Sequence, residues 1–416
     1  MNQKTMPLQK NILNKPMYAI GLAQFFSALA DNTLLFALLK ILKSSFDSSN
    51  VPLYPNWSDS ALQASFIITY ILLAPIVGTI ADHFPKGQVM MSGNALKLLG
   101  VFGVFFGLNP FVCYSIVGLG AAIYSPAKFG ILGEIVESKL LVKANGFIEG
   151  STIAAILLGS FLGGFIADKS IYGAIIMTLV IYILAVISNI FIPKLKCAKK
   201  AETFSPKILF KQFFVTFAVL FKNKDIRFGI IGTSLFWGAA TTLRLLLIVW
   251  VPIALLGHAT GIGIQESSDL SIPSMLNGLV GIGVVFGAAL AGFIITLENA
   301  RKCLIAGFIM GVLVLILGFQ NNMLISIAFL LGIGFCGGFF IVPLNAVVQM
   351  RGKELAGVGS AIAVQNFCEN IMMILMLSLF ALARSAGIPI VGIIAIFGIV
   401  FSISILLLGL LNKSSK

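Results

Sequence analysis

The sequence predicts an all-α membrane protein in which twelve transmembrane helices form two six-helix bundles. Three observations carry that reading. The 416 residues are 58% hydrophobic and only 10% charged, with a mean hydropathy of +1.04, whereas a soluble chain is about one-quarter charged. Apolar runs of the ~20 residues that a bilayer-spanning helix needs recur along the chain. The one long basic interruption, residues 194–227, separates an N-terminal bundle, 1–193, from a C-terminal bundle, 228–416. Such a composition excludes a soluble enzyme, a disordered chain and a disulfide scaffold.

In order, the spans are approximately 17–39, 60–81, 88–107, 111–132, 144–167, 171–193, 228–256, 274–297, 303–320, 323–349, 356–383 and 387–411. The first follows a basic N-terminus, but its apolar run is about 23 residues long and contains Asp31. It therefore reads as a retained helix and not a cleaved signal peptide. Most connections are short, as helical hairpins require; 194–227 and 257–273 are the exceptions. Within the first of these, Lys207 to Phe221 is too short and too closely flanked by lysine to span. It lies either on the cytoplasmic leaflet, with its lysines meeting anionic lipid, or in water as part of a solvated basic linker.

The net charge of +13 would suggest nucleic-acid binding in a soluble protein. Placed against the spans, it reports topology instead. With the N-terminus in the cytoplasm, the inside segments hold 21 of the 28 Lys and Arg residues, nine of them between Lys194 and Arg227. The outside segments hold four: Lys40, Lys43, Lys169 and Arg384. By the positive-inside rule both termini are cytoplasmic, and no nucleic-acid partner is expected. Five scattered cysteines without a CxxC pair, and two distant histidines, His83 and His258, argue against a metal site or disulfide framework. No cofactor is expected either.

The two halves resemble each other. Gly78 and Gly292 are 214 residues apart, as are the GLG at Gly118 and the GIG at Gly332; Asp31 and Arg244 are 213 apart. The six-linker-six layout and this offset indicate a parallel repeat about an axis along the membrane normal. That arrangement is typical of the major facilitator fold, whose substrate site lies between the halves near the midplane.

Charges inside spans are costly, about 2.5–3.5 kcal/mol each on insertion scales, so they face a cavity or a partner. Asp31, Lys97, Arg244 and Glu369 fall mid-span, with Glu149 and Lys128 nearer the cytoplasmic ends. In a parallel repeat, Asp31 and Arg244 occupy matching places on opposite walls of one cavity. They form either a salt bridge that closes an outer gate, or a cradle in which Asp31 takes a cationic group and Arg244 grips an anion bidentately. Glu369 sits among Gln365, Asn366 and Asn370, so part of the eleventh span is strongly polar. It reads as a cavity-facing site, with partner supply for buried polar groups as the alternative. Lys128, after the helix breaker Pro126, is either a phosphate contact or a snorkelling interface lysine. Lys97 and Asn94 are expected to serve helix packing. The pairs Gly103/Gly107, Gly146/Gly150, Gly159/Gly163 and Gly307/Gly311 also read as close packing.

At the end of the second span, GTIADHFPKG (Gly78 to Gly87) resembles the loop between helices 2 and 3 of the major facilitator superfamily. The resemblance implies a helix-capping Asp82 and a basic Lys86 that latch the two halves, and so a gating role. The match is partial, because the usual arginine pattern is reduced to Lys86. The second half keeps Glu298, Arg301 and Lys302 in TLENARK. Neither a phosphate-binding GxxxxGK[ST] nor a GxSxG nucleophile motif is present, which leaves passage and not chemistry as the activity.

Longer strings carry a narrower resemblance. AQFFSALADNTLLFALL, YILLAPIVGTIAD, NALKLLG, YSPAKFGILGE, STIAAILLGS, GTSLFWGAATTLRLLLIVWVP, GGFFIVPLNA and AIAVQNFCEN are similar, in order, to the bacterial lysophospholipid transporter family. The resemblance covers nearly the whole chain and is weakest in the linker and tails. It implies a protein of the bacterial inner membrane that flips lysophosphatidylethanolamine and related lysolipids to the inner leaflet without ATP; a monomer is expected. There an acyltransferase/acyl carrier protein synthetase reacylates them. The shared polar positions, and hence the implied substrate-binding set, are Asp31, Asn32, Lys128, Arg244, Asn366 and Glu369. The residues suit such a ligand: Arg244, with Lys128, for phosphate; Asp31 or Glu369 for an ammonium; Phe-rich walls for the acyl chain. The competing reading is a proton-coupled exporter of drugs or small solutes on the same fold. A non-transporting membrane scaffold is a third reading, and it predicts that Asp31 and Arg244 tolerate replacement.

Overall fold

In the computed structural model, residues 14–44, 58–193, 206–256 and 271–411 are described. His258, Cys197, both tails, the first part of the linker and most of the 257–273 connection lie outside them, as does the Lys43 side chain. The helices are α1 (Lys15–Ser44), α2 (Ser58–His83), α3 (Lys86–Phe105), α4 (Pro110–Ile135), α5 (Leu141–Lys169), α6 (Ile171–Ile190) and α7 (Pro206–Lys222). They continue as α8 (Lys224–Val251), α9 (Ser271–Ile294), α10 (Cys303–Leu317), α11 (Met323–Leu355), α12 (Val358–Ser385) and α13 (Ile390–Leu411). Among the described residues, all of these except α7 are long and apolar enough to cross a membrane, twelve in all.

Each span forms where the sequence places it, but several helices overshoot the apolar run. The first reaches Lys15–Leu42 and the fifth Ser138–Lys169, because a helix satisfies its own backbone beyond the bilayer core as well as within it. Local sequence sets the ends. Asn109 accepts from the Phe111 and Val112 amides ahead of Pro110, which has no amide hydrogen to lose at a helix start. Asn223 caps α8 through Asp225 and Ile226, and Asn322 caps α11 through Leu324 and Ile325. Pro126 does not break α4, which runs through it to Ile135; membrane helices tolerate proline where neighbours and local adjustment re-satisfy the freed carbonyl.

The chain divides into two compact units. One draws on Met1–Leu141, Ala154–Phe221 and Gln349–Phe367, the other on Val142–Ile153, Lys222–Val348 and Cys368–Lys416. The N-terminal part of α5 therefore belongs with the second unit, and the end of α11 with the start of α12 belongs with the first.

In the first unit α4 packs against α2 and α3, and α6 against α1 and α3. With no hydrophobic gain between helices in lipid, close packing of small residues holds them together. A Cβ on Gly93 would lie 2.7 Å from the Gly120 carbonyl oxygen, and one on Gly163 would lie 2.8 Å from Thr33 Cα. In the second unit α9 meets α11 in the same manner: a Cβ on Gly283 would reach the Phe335 amide nitrogen at 2.8 Å. α8 and α10 pack against α13. Of the four GxxxG pairs, Gly107 departs from the packing expectation. Its φ is +77 with nothing within 4 Å of an added Cβ, so it serves the turn after α3. Large exposed apolar side chains such as Leu72, Phe161, Phe286, Phe293 and Leu324 form the surface expected to face lipid.

The 194–227 segment is not extended throughout, since it contains α7. This helix buries Leu209, Phe213 and Leu220 and seats the Phe213 ring edge-on against Phe367, centroids 5.5 Å apart.

Candidate substrate site

The first unit holds a polar cluster within its spans. Ser27 and Asp31 are four residues apart on α1, and Asn94 and Lys97 are three apart on α3, so each pair shares a helix face. These faces meet. Lys97 Nζ lies 2.7 Å from Asp31 Oδ2 and 2.9 Å from Ser27 Oγ. Ser27 donates in turn to Asn94 Oδ1 at 2.7 Å. From α6, the Tyr182 hydroxyl donates to the other carboxylate oxygen, Asp31 Oδ1. The ammonium also lies 5.3 Å from the centre of the Tyr124 ring, on α4. Four helices thus converge on one ion pair. Its partners are unequally buried: the Lys97 side chain is 2% exposed and that of Asp31 22%. Among the described residues, Asn94 Nδ2 and the Tyr124 hydroxyl are buried without a hydrogen-bond partner.

This cluster revises one expectation. Lys97 and Asn94 do more than pack, because Lys97 is the counter-ion of Asp31. Asp31 spends both carboxylate oxygens within its own unit, on Lys97 and Tyr182. Asn32, the next residue, turns away from the cluster: it donates to Ala28 in its own helix at 2.9 Å and faces Gly159 of α5.

Asn366 donates to Ser125 Oγ at 2.9 Å, joining α12 to α4. Lys128, one turn further along α4, is buried, with its ammonium 4.0 Å from the centre of the Phe129 ring. In the second unit, Glu369 and Asn370 are buried on α12 and Arg244 is half-buried on α8. Glu149 accepts from Asn345 of α11 at 3.1 Å. The six sequence-derived positions thus fall as Asp31, Asn32, Lys128 and Asn366 in one unit and Arg244 and Glu369 in the other.

Asp82 and Lys86 occupy the α2–α3 junction. Asp82 accepts from the Gly359 amide (2.8 Å), the Ser360 amide (3.0 Å) and the Ser360 hydroxyl (2.8 Å), which caps the first turn of α12. Gly357, just before that turn, has φ +96, and a Cβ there would lie 2.5 Å from Asp82 Oδ2. Glycine is required on both counts. Lys86 is buried and pairs with Glu134 at 2.5 Å, tying the start of α3 to the end of α4. In the second unit, Arg301 from the matching loop pairs with Asp225 at 3.0 Å.

Sequence reasoning missed Ser27, Tyr124 and Tyr182. The i−4 spacing of Ser27 from Asp31 was an available signal. Tyr182 is 151 residues from Asp31, and nothing local marks it.

Twelve membrane-length helices among the described residues define a polytopic membrane protein. The Major Facilitator Superfamily profile matches residues 20–377, and the chain belongs to that superfamily. The human organic anion transporter MFSD10 (TETRAN) shares the fold, with TM-score 0.75 over 96% of this chain and 99% of its own, at 15% identity. So does the E. coli fucose:proton symporter FucP, with TM-score 0.69 over 96% of this chain and 98% of its own, at 14% identity. Within the superfamily the kinship is narrower. The chain is 49% identical to the lysophospholipid transporter LplT of Yersinia pestis (strain Pestoides F), over 92% of its own length and 90% of that protein's. It is a member of the lysophospholipid transporter family.

Proposed function

We propose that this protein carries lysophospholipids across the bacterial inner membrane to its cytoplasmic leaflet, by alternating access and without ATP. Lysophosphatidylethanolamine is the leading substrate, and an acyltransferase/acyl carrier protein synthetase restores the missing acyl chain. The likeness to curated lysophospholipid transporters along nearly the whole chain supports the substrate class. The observation that carries the site is the part-buried ion pair of Asp31 and Lys97, extended by Ser27, Asn94 and Tyr182. An amphiphile with a charged head needs a polar station inside an otherwise apolar passage, and this cluster is one.

In this reading Arg244 and Lys128 hold phosphate, while the exposed edge of Asp31, or Glu369, meets the ammonium of an ethanolamine head. Asn32 and Asn366 add neutral polar contacts. The bundles 1–193 and 228–416, joined by 194–227, are the moving halves, and Asp82 and Lys86 belong to the gate on the basic, cytoplasmic face, where both termini lie. The protein works as a monomer.

Proteoliposomes loaded with the native chain should take up labelled lysophosphatidylethanolamine, and Asp31→Asn and Arg244→Ala should not. Uptake no higher than in empty vesicles would remove the lipid assignment. The competing proton-coupled reading is tested separately. Collapse of transport by a protonophore would establish coupling, and unchanged transport would dismiss it.

A further inference from the structure

The first unit carries a recess away from the Asp31–Lys97 cluster. It is a cleft of about 630 Å³ walled by the end of α2, one face of α7 and the start of α12. Its polar lining is Thr79 and His83 from α2, Lys211, Gln212 and Thr216 from α7, and Ser360 from α12; Pro75, Ile208, Val215 and Ala363 complete it with apolar surface. Every wall is fixed. Phe213 anchors α7 on Phe367. The His83 ring is held through Nδ1, 2.9 Å from the Thr79 carbonyl. At the floor, a Cβ on Gly78 would lie 2.8 Å from Ser360 Cα, so α2 and α12 touch.

We infer that this cleft is a binding site for an acidic phospholipid of the surrounding leaflet, distinct from the transported lipid. Charge selects the occupant. α7 has no acidic residue along its 17 positions, and among the described residues no carboxylate pairs with Lys211. An ammonium bordered by amide and hydroxyl donors suits a phosphate. The apolar part selects lipid over a free anion. Ile208 and Val215 are 46% and 55% exposed while also lining the cleft, and Phe210 and Phe214 are exposed elsewhere on the same helix. A lysine-flanked helix with such a surface lies at the membrane interface, where it offers the cleft to a headgroup and its own side chains to acyl tails. A lipid seated there binds α2, α7 and α12 together beside the Asp82–Ser360 contact. Leaflet composition then influences how readily those helices part.

The test uses the purified full chain in detergent and does not depend on which lipid is transported. Phosphatidylglycerol should raise the unfolding temperature of the native protein, and phosphatidylcholine and glycerol 3-phosphate should not. Lys211→Gln should abolish most of that shift without lowering the lipid-free unfolding temperature, and Lys211→Arg should keep it. Native mass spectrometry should show one phosphatidylglycerol retained by the native chain and lost from Lys211→Gln. An equal shift in Lys211→Gln, or with phosphatidylcholine, would overturn the inference. A shift produced by glycerol 3-phosphate alone would make this a site for soluble phosphate and overturn the lipid.

Discussion

Lys97 Nζ sits 2.7 Å from Asp31 Oδ2, and the lysine is the more deeply buried of the two, with 2% of its side chain exposed against 22% for the aspartate. The carboxylate is therefore the more accessible member of the pair, and the ammonium is the support behind it. Burying either charge alone is costly, whereas the pair with its added hydrogen bonds is tolerated.

Asp31→Asn strands the Lys97 charge in the unit interior. Breaking a buried pair from one side costs about 3–5 kcal/mol, so the unfolding temperature in detergent should drop clearly. Asp31→Asn combined with Lys97→Met should recover much of that loss while transport stays absent. If the double variant is no more stable than the single, the two residues are not coupled.

Tyr182→Phe removes one hydrogen bond to a charged group, worth about 1.5–3 kcal/mol, and leaves the ion pair in place. Stability should fall less than in Asp31→Asn, and lysolipid uptake should drop severalfold. Unchanged uptake would confine Tyr182 to a structural role.

Arg244→Ala should abolish uptake, and Arg244→Lys should restore only part of it, since lysine cannot reproduce a planar two-point grip on phosphate. Equal rescue by lysine would argue for simple charge. Glu369→Gln should lower uptake of the ethanolamine lysolipid more than that of the glycerol lysolipid, read in parallel assays.

Gly357→Ala places a methyl group against Asp82 at a backbone angle that favours glycine, a strain of about 1–3 kcal/mol. It should weaken the capping contact as Asp82→Asn does, and both variants should change the rate of uptake more than the affinity for lipid. A native rate in both would remove the gating role of this contact.

The fold was legible because lipid imposes a simple rule, and runs of apolar residues reveal where it applies. Asp31 was legible for the opposite reason, as a charge where none is expected. Its surroundings were not. Lys97, in NALKLLG, reads as one lysine on an apolar helix, and only the packing of α1 on α6 and α3 on α4 shows what it faces. The Tyr182 hydroxyl is as hidden, because a hydrogen bond between helices leaves no periodicity in either. The sequence left α7 open between a surface helix and a solvated linker; the Phe213–Phe367 contact that seats it joins positions far apart in the chain.

The first turn of α12 is completed by a side chain 277 positions earlier in the chain than the amide it serves. A helix that caps itself reports nothing, but one whose end is finished by a distant residue is a built-in sensor. Amide exchange at Gly359 and Ser360 should be slow while Asp82 is in place and quicken whenever it departs. Two backbone protons then count how often the contact opens in an unlabelled, unmodified protein.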